Sequence, residues 1–562
     1  MHRRLHWQML LALVSLTGGC DAILGLKKAT LFDPDAGSSS VTTTGGTGGA
    51  GGTGGIATTS AAGGGAGGES GSCIPDSTSP CYDGPPDTAG VSLCHAGTHV
   101  CEKDGTTFGP CIGQMTPAPE TCGGTVDTNC DGFLCGDAEW IKDLPQNSNY
   151  TTGGVGVDGT GNVYVAGTFT NPMQIGNKTL LGFGGTDVFV AKFTSKGTLL
   201  WAKQFGDVGD EAANGMAVDT AGNVIITGST SASVDFGSGN AVSGLVYILK
   251  LDPAGNHVWS HSCGGVAPPM TYITGGKAIS FDSQGDVIVA GEFGGTANCG
   301  DAPRNSAGGL DILLAKLSGS DGHALWSKAF GDVKDQYVKA LAVDSAGSAM
   351  ITGIANGSVN FGGMDLVGGA FYMARFSPTG AHNWSRNWGK SNEAGPSAMV
   401  IDANGTIAMS GGYSSSSFTF GGAAFPAATQ FGPGAFVATF TNTGTHVWSN
   451  GFAMGEGTGV AIRADGGVTF TGSAGAGANV GGGDLGNGQC FIADFDNNGA
   501  YLRSRSFGHA PNNAAGISAM ALGPAGEVAL FGTLFGTVDF GGVSLTSTSP
   551  GAIDDFLLKL AP

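Results

Sequence analysis

A short loop at the end of a cysteine-rich region has the residue types and spacing of a calcium site. Within PETCGGTVDTNCDGFLCGD, oxygen-bearing side chains alternate in the pattern D-x-N-x-D-G. Oxygen ligands two residues apart, followed by a glycine that permits a sharp turn, are how a loop wraps a hard cation. The candidate Ca²⁺ ligands are Asp127, Asn129, Asp131, Phe133 through its carbonyl, and Asp137.

This loop also has an interpretation without an ion. Neither Asp137 nor Glu139 falls at the twelfth position, where an EF-hand places its bidentate glutamate. An Asx-rich turn stapled by the neighbouring cysteines would have the same composition. The segment also resembles the E-x-C…D-x-x-C-D-G motif of bacterial cell-surface proteins, a family described as metal-binding, and that resemblance implies a metal here.

The cysteines predict a disulfide-stapled module. Eight of the twelve lie in a segment with few large apolar residues, so disulfides would supply the stability that burial cannot. Zinc is the competing interpretation, but the segment has no C-x-x-C pair and only His95 and His99 as imidazoles. The eight are Cys73, Cys81, Cys94, Cys101, Cys111, Cys122, Cys130 and Cys135. Their connectivity stays open because many pairings are allowed. Cys263 and Cys299 are a candidate further pair, which leaves Cys490 unpaired.

The N-terminal segment predicts export. A basic stretch, MHRRLHWQ, precedes the apolar MLLALVSL, which is too short to span a bilayer as a stable helix. LTGGC then ends at Cys20 and resembles the lipobox of bacterial lipoproteins, although Leu16 lies one position further from the cysteine than usual. The resemblance implies a lipid on Cys20 and a place in the cell envelope, at the outer membrane or cell surface. The alternative is an ordinary secretory signal.

Composition narrows the fold and the partners. Glycine supplies 104 residues and charged residues only 12%, which argues against helices. The net charge of −20, with 24 basic residues, argues against nucleic acid as a partner. The predicted regions are a lipoprotein signal peptide (1–19), a Gly/Ser/Thr-rich flexible linker (20–72), the disulfide module (73–137) and a repeat domain (138–562).

The repeat domain contains one unit seven times. Each copy has a small apolar strand ending at a turn of the D-x-x-G-N type, a second strand such as NVYVAG, a third such as VFVAKF, and a tryptophan strand such as WAKQFG. A period of about 60 residues suits one four-stranded blade. The tryptophan position is occupied by Trp140, Trp201, Trp259, Trp326, Trp384 and Trp448, and by Arg503 in a degenerate copy.

The phase of the repeats predicts a closed ring. The last copy ends at FLLKLAP, a third strand, while EWIKDL, a tryptophan strand, precedes the first complete copy. We therefore expect an all-β, seven-bladed β-propeller of four-stranded blades, closed by the N-terminal strand and preceded by a small disulfide-rich module and a disordered linker. The repeats resemble the bacterial β-propeller repeats called SBBP, with their D-x-x-G-N-v-y-v-t-G and F-v-a-K stretches. The resemblance covers about residues 138–562 and implies the propeller fold.

Residues that look catalytic fall at repeat positions, which indicates framework. Four histidines precede a repeat tryptophan by two or three residues: His257, His323, His382 and His446. Basic residues share a second position: Lys192, Lys250, Lys316, Arg375 and Lys559. Turn aspartates share a third: Asp158, Asp219, Asp282, Asp344, Asp402 and Asp465. The sequence has no G-x-S-x-G elbow, H-E-x-x-H motif, phosphate loop or dinucleotide fingerprint. We therefore predict that the protein is not an enzyme.

The expected function is binding at the cell surface. Loops on one propeller face, where the copies differ, would recognise an extracellular glycan or protein. The membrane would be a second partner through the lipid at Cys20, and Ca²⁺ is the single cofactor expected. The alternative is a propeller hydrolase or lyase acting on an extracellular polymer, which needs acids or histidines converging at one mouth of the channel.

Overall fold

The computed structural model describes residues 73–84, 89–90, 92–118, 137–145, 153–170, 172–264, 275–368, 371–389, 394–414, 418–429, 433–475, 477–485, 489–508, 514–540, 543–548 and 553–562. All of them lie in one compact unit, Ala66–Pro562. They contain strands and turns but no helix, and accordingly none of them forms a helix that could cross a membrane.

Seven four-stranded antiparallel sheets make up the repeat domain, and we call them blades 1 to 7. Blade 1 contains Gly153–Val157, Val163–Phe169, Asp187–Phe193 and Leu199–Phe205. Blade 2 contains Glu211–Val218, Val224–Thr230, Val246–Leu251 and His257–Cys263. Blade 3 contains Gly275–Phe281, Val287–Phe293, Asp311–Leu317 and Ala324–Phe330. Blade 4 contains Gln336–Val343, Ala349–Ala355, Phe371–Phe376 and His382–Trp388.

The remaining blades follow the same order. Blade 5 contains Ala394–Ile401, Ile407–Tyr413, Gly434–Phe440 and His446–Phe452. Blade 6 contains Glu456–Ile462, Val468–Ser473, Cys490–Phe495 and Tyr501–Phe507. Blade 7 contains Ala514–Leu522, Val528–Phe535, Ile553–Leu560 and, as its fourth strand, Ala138–Leu144.

The predicted closure of the ring is confirmed. Ala138–Leu144 pairs antiparallel with Ile553–Leu560, and Trp140 lies opposite Lys559. The first strands of successive blades contact one another around the ring, and the first strand of blade 7 contacts that of blade 1. The all-β, seven-bladed propeller expected from the repeat phase is therefore the fold of this chain.

The second and third strands are the core of each blade. In blade 1 every residue of Val163–Phe169 and of Asp187–Phe193 is buried. Neighbouring blades cover both faces of these strands, so they read as continuous apolar runs instead of alternating patterns. Antiparallel order places the turns between strands 1 and 2 and between strands 3 and 4 at one end of the ring, called here the turn face. The connections between strands 2 and 3 and between blades begin at the opposite end, the loop face.

Much of each connection between strands 2 and 3 packs on the outer rim. In five blades it forms a two-stranded hairpin that contacts the fourth strand in four of them. The hairpins are Met173–Ile175 with Lys178–Leu180, Ser233–Val234 with Val242–Ser243, Thr296–Asn298 with Pro303–Asn305, Ser358–Val359 with Leu366–Val367, and Thr537–Asp539 with Ser544–Thr546. Covering the outermost strand protects an edge that would otherwise be open to pairing.

The recurring phenylalanine of these connections fills the wedge between neighbouring blades. Phe361 packs against Phe330 of blade 3 at 5.1 Å between ring centroids and against Tyr372 of blade 4 at 4.9 Å. Gly362 follows with φ of +112°, and a Cβ there would lie 3.0 Å from His382. The phenylalanine of the F-G-G sequence therefore fills the space between two blades. The first glycine then turns the chain against His382 of the fourth strand. These stretches belong to the framework, although the sequence interpretation placed function in the connections where the copies differ.

The tryptophans tie each blade to the next. Trp259 Nε1 donates to the Gly319 carbonyl at 3.0 Å, which lies in the turn between strands 3 and 4 of the following blade. The equivalent bonds run from Trp140, Trp201, Trp326, Trp384 and Trp448 to the carbonyls of Ser195, Pro253, Pro378, Asn442 and Asn497. Blade 7 lacks a direct turn between its third and fourth strands, because residues 553–560 and 138–144 are distant in sequence. Blade 6 accordingly has Arg503 at the tryptophan position.

The disulfide-rich segment contains the short pair Thr78–Cys81 and Gly97–Val100. Disulfides join Cys73 to Cys101 and Cys81 to Cys111, and Cys94 is disulfide-bonded as well. The prediction of a disulfide-bonded segment is confirmed for these residues. Cys122, Cys130 and Cys135 lie outside the described residues.

Candidate functional site: the channel mouth on the loop face

A β-bulge recurs in the first strand of six blades. In blade 4 the pairing register shifts between Val338 and Ala340, which leaves Lys339 without a partner residue on the second strand. A bulge re-aims one side chain and recurs next to functional sites. The bulged residues are Asn214, Lys277, Lys339, Ser397, Thr458 and Ser518. All six are polar.

The bulges present these side chains at the channel. Lys339 and Ser518 are exposed and the other four are half-buried, whereas flanking residues such as Val338 and Ala340 are buried. Neighbouring blades cover both faces of a first strand and the second strand covers one edge, so the accessible side is the channel. Each bulge lies two to four residues after the start of its strand, close to the loop face. The six blades together therefore form a polar ring near one mouth.

A cavity of about 510 Å³ opens beside this ring over blades 4 to 6. Lys339 of blade 4 and Glu456 of blade 6 are both in its lining, with Ser397, Tyr413 and Pro433 of blade 5. Tyr413 is 1% exposed, and its hydroxyl has no hydrogen-bond partner among the described residues. Burial raises the pKa of Tyr413 to about 12, so its phenol stays protonated at neutral pH. The cavity thus combines a cation, a carboxylate and hydroxyl groups with apolar surface.

The neighbouring charges at this mouth are already engaged. Glu292 is 4% exposed, and its Oε1 accepts a hydrogen bond from the Val338 amide at 3.0 Å. Its Oε2 lies 3.7 Å from Lys277 Nζ. Burial raises the pKa of Glu292, and the nearby Lys277 opposes that rise. This carboxylate therefore anchors blade 4 to blade 3.

A second acidic feature lies between blades 1 and 2. A Cβ added at Gly206 would lie 1.8 Å from Asp187 Oδ1 and 3.0 Å from Glu211 Oε2, so both carboxyl groups crowd one point. Asp187 Oδ1 has no hydrogen-bond partner among the described residues. Burial is the main cause that raises the pKa of Glu211 to about 7. Blade 4 has Gln336 at the position of Glu211, and Asp311, the first residue of the third strand of blade 3, has a pKa raised by burial to about 6.

The catalytic alternative needs acids or histidines that converge at one mouth. Within the described part of the chain, no group of three or more His, Cys, Asp or Glu side chains is arranged to hold a metal ion. Among the ionisable side chains beside the bulge ring, Lys277 and Glu292 pair with each other, and Asp187 and Glu211 lie close together between blades 1 and 2.

Three of the four repeat histidines share one environment. His257, His382 and His446 each lie 3.0–3.1 Å through Nε2 from the hydroxyl of the serine three residues later. Blade 6 has Tyr501 at this position, with the same contact to Ser504. His323 differs from the sequence interpretation, because Ala324 is the residue paired with Leu317 and His323 lies in the preceding turn against Asp321. The shared position thus includes three histidines and not four.

The turn aspartates also need one correction. In blade 1, Asp158 opens the turn by accepting the Asn162 amide, and its carboxylate lies 3.5 Å from Lys192 Nζ. In blade 6 the residue that opens the turn is Arg463, whose amide donates to the Gly467 carbonyl. Asp465 occupies the third position of that turn, so it is not the counterpart of Asp158.

The predicted calcium ligands fall mostly outside the described residues. Asp127, Asn129, Asp131 and Phe133 lie there, and so does Cys20. Asp137 is described, and its carboxylate lies 3.2 Å from Arg505 Nη1. The calcium site and the lipidation site both stay predictions.

The three cysteines of the repeat domain lie among the residues that the structure describes. Cys263 and Cys299 form a disulfide. Cys490 is a free, buried thiol whose pKa burial raises to about 12. At neutral pH it is therefore a protonated, unreactive thiol.

Fold and channel together define a seven-bladed β-propeller protein. Residues 200–234 match the family described as Beta-propeller repeat (SBBP). Over 159 residues the chain is 25% identical to an uncharacterized WD repeat-containing protein of Acanthamoeba polyphaga mimivirus. That match covers 25% of this chain and 11% of the viral protein, so the chain spans about a tenth of its relative.

Several solved structures are similar to this chain. A protein of unknown function from Bacteroides caccae is 12% identical, with a TM-score of 0.31 and coverage of 58% of this chain and 92% of its own. The quinohemoprotein alcohol dehydrogenase of Comamonas testosteroni is 12% identical, with a TM-score of 0.38 and coverage of 75% and 76%. The Dos1 propeller is 7% identical, with a TM-score of 0.37 and coverage of 75% and 96%.

Proposed function

We propose that this propeller is an interaction scaffold that holds a protein or glycan partner at its loop-face mouth, over blades 4 to 6. The observation that carries the proposal is the polar bulge ring beside the open cavity that Lys339 and Glu456 line. Propeller rings are rigid, and rigid elements are the ones that hold binding groups in place. The outer rim of blades 1 to 4, by contrast, is occupied by hairpins that pack on the fourth strands.

The charges favour a partner with both signs at its contact surface. Lys339 and Glu456 are both exposed. A pocket lined by apolar surface and a few convergent polar groups is the usual form of a binding site. A peptide segment or a charged saccharide that places an acid near Lys339 and a donor near Glu456 fits this chemistry.

A binding screen followed by matched variants tests the proposal. The exported chain is screened against surface glycans and envelope proteins, and the ligand found is titrated against Lys339→Glu and Glu456→Lys. Both variants should weaken binding at least tenfold, because each charge is replaced by its opposite at the contact. Lys178→Glu, on the rim hairpin of blade 1, is the control and should bind as the wild type does. Loss of binding in the rim variant with retention in both mouth variants would overturn the proposal.

The scaffold is further proposed to be displayed at the cell surface. The basic and apolar leader, the lipobox-like LTGGC and the disulfides support this location.

The D-x-N-x-D-G loop supports a structural Ca²⁺ in the disulfide module. Calorimetric titration of the full chain with Ca²⁺ tests it by comparison with Asp127→Ala. Heat of binding in the wild type that disappears in the variant is expected, and equal heats in both would remove the calcium site.

A further inference from the structure

The turn face contains a charge pattern that one blade breaks. In each blade a residue of the third strand lies opposite the tryptophan position of the fourth strand, as Lys192 lies opposite Trp201. In blades 1, 2 and 7 this lysine donates to the same carbonyl of the following blade that accepts the indole, namely Pro253, Gly319 and Ser195. The cation and the indole therefore brace neighbouring blades together.

The same cation also neutralises the turn carboxylate. Lys192 Nζ lies 3.5 Å from Asp158, and Lys316 Nζ lies 2.7 Å from Asp282. Arg375 pairs with Asp344 in blade 4. In blade 6 the charges are exchanged, with Arg463 in the turn and Asp494 on the third strand at 3.0 Å. An ion pair therefore forms at this position in blades 1, 3, 4 and 6, and in blade 7 Lys559 pairs with Glu527.

Blade 5 has the carboxylate without the cation. Thr439 occupies the third-strand position opposite Trp448, and Asp402 opens the turn. The Thr439 side chain is 2% exposed, and its Oγ1 has no hydrogen-bond partner among the described residues. A buried hydroxyl without a partner costs free energy, so this oxygen is an acceptor that a bound donor would satisfy.

The turn carboxylate of blade 5 is correspondingly less engaged. From the described residues, Asp402 Oδ2 receives one long contact, 3.4 Å from the side-chain amide nitrogen of Asn404. Its counterpart Asp158 Oδ2 receives the Asn162 amide at 2.9 Å and the Tyr164 hydroxyl at 3.1 Å, besides the lysine. Blade 5 has Ala408 where blade 1 has Tyr164, so the side chains that fill this space are smaller.

A cavity of about 380 Å³ occupies the place of the missing side chains. Its lining includes Asp402, Thr439, Phe440, Trp448 and Asn497. The Asn497 carbonyl accepts the Trp448 indole at 3.0 Å, as the equivalent carbonyls do elsewhere. No lysine or arginine is among the residues that line the cavity. Carboxylate, hydroxyl and carbonyl oxygens together form the acceptor set that an ammonium group prefers, and an indole face adds cation–π attraction.

We propose that this turn-face cavity between blades 5 and 6 binds a primary ammonium group. The ammonium takes the position of the absent lysine Nζ, donates to Asp402 and Thr439, and leaves its alkyl chain against Trp448 and Phe440. The cavity is larger than one ammonium group needs, so a chain of several carbons fits. The site lies at the end of the strands opposite to the loop-face mouth and is independent of the proposed partner site.

Titration of the full chain with n-butylammonium chloride tests this site. The readouts are Trp fluorescence and thermal unfolding. Saturable binding is expected, with an increase in Tm. Thr439→Lys supplies the missing cation from the protein, so it should raise Tm without ligand and abolish the response to butylammonium. Asp402→Asn should weaken binding at least tenfold, whereas Asp219→Asn in blade 2, where Lys250 is present, should leave it unchanged.

Three further probes make the test specific. Butanol lacks the charge, tetramethylammonium lacks the N–H donors, and matched sodium chloride supplies an inorganic cation. An equal response to any of the three, or a response that persists in Thr439→Lys, would overturn the proposal. Nα-acetyl-lysine methylamide is titrated alongside, and tighter binding than butylammonium identifies a lysine side chain as the preferred source of the ammonium.

Discussion

The carboxylate of Asp494 lies 3.0 Å from Arg463 Nη1, and this pair is the ion pair of blades 1, 3 and 4 with its charges exchanged. Arg463 stands where Asp344 stands in blade 4, and Asp494 stands where Arg375 stands. Where both charges are present, this position therefore accommodates the buried pair in either polarity.

Reversing one partner of this pair should destabilise the protein strongly. Asp494 is 4% exposed, so Asp494→Arg would bury a third cation beside Arg463 and Arg503. We expect a loss of about 3–5 kcal/mol in the free energy of unfolding. The double variant Arg463→Asp/Asp494→Arg restores a pair with the usual polarity and should recover at least half of that loss. Urea unfolding measures both, and additive losses in the double variant would contradict the account.

The inter-blade indole bonds should contribute measurably to stability. Trp259 is 5% exposed and donates to Gly319 at 3.0 Å, so Trp259→Phe leaves that carbonyl without its indole donor. A loss of about 1–3 kcal/mol is expected from the hydrogen bond and the smaller ring. Val258→Ala is the matched control, because Val258 is 43% exposed and its truncation should change stability by less than about 0.5 kcal/mol. Equal effects of the two substitutions would show that the indole bond is not a brace.

The raised pKa of Glu211 predicts a specific pH dependence. The native pKa of about 7 lies above the ordinary 4.5, so the native state holds a proton that the unfolded state releases earlier. The stability tied to this proton is present below about pH 4.5 and is lost as pH rises through 7. Glu211→Gln, which copies Gln336 of blade 4, should stabilise the protein at pH 8 by about 1–3 kcal/mol and much less at pH 5. The reciprocal Gln336→Glu should introduce the same pH dependence. A gain from Glu211→Gln that is equal at both pH values would rule out titration as the cause.

Substitution of Cys20 should release the protein from the envelope. Cys20→Ala removes the thiol that the lipobox-like sequence offers for acylation, and a lipid chain is what would hold the protein at a membrane. Incorporation of labelled palmitate and recovery in the membrane fraction should both disappear. Cys490→Ala is the control because Cys490 is a buried free thiol. Palmitate labelling that survives in Cys20→Ala would exclude lipidation at this residue.

The fold could be predicted from the sequence because the motifs of the repeat fix how the copies align with one another. Trp140 before the first copy and Lys559 in the last third strand are enough to predict that the chain's first and last strands pair, and they lie opposite each other. The prediction for the turn of blade 6 was wrong, because Asp465 resembles the aspartate that opens the turn in the other blades. Arg463 is the residue that opens this turn. A repeat with exchanged charges cannot be recognised until the partner across the strands is known.

The candidate site was much harder to predict. Lys339 looks like any lysine in YVKALAV, and the bulge that exposes it is a difference in register between two strands. The missing cation at Thr439 is likewise recognised by comparison with the lysine or arginine at this position in other blades. Both features depend on comparison between strands in space, which a single sequence does not supply.

The most direct test of the central claim is photocrosslinking to the ligand found in the binding screen. A benzophenone amino acid is placed at position 397 in the cavity lining or at position 179 on the rim hairpin of blade 1. Crosslinking at position 397 and little at position 179 is the predicted result, because the partner should contact the mouth over blades 4 to 6. Efficient crosslinking at position 179 with none at 397 would contradict the account.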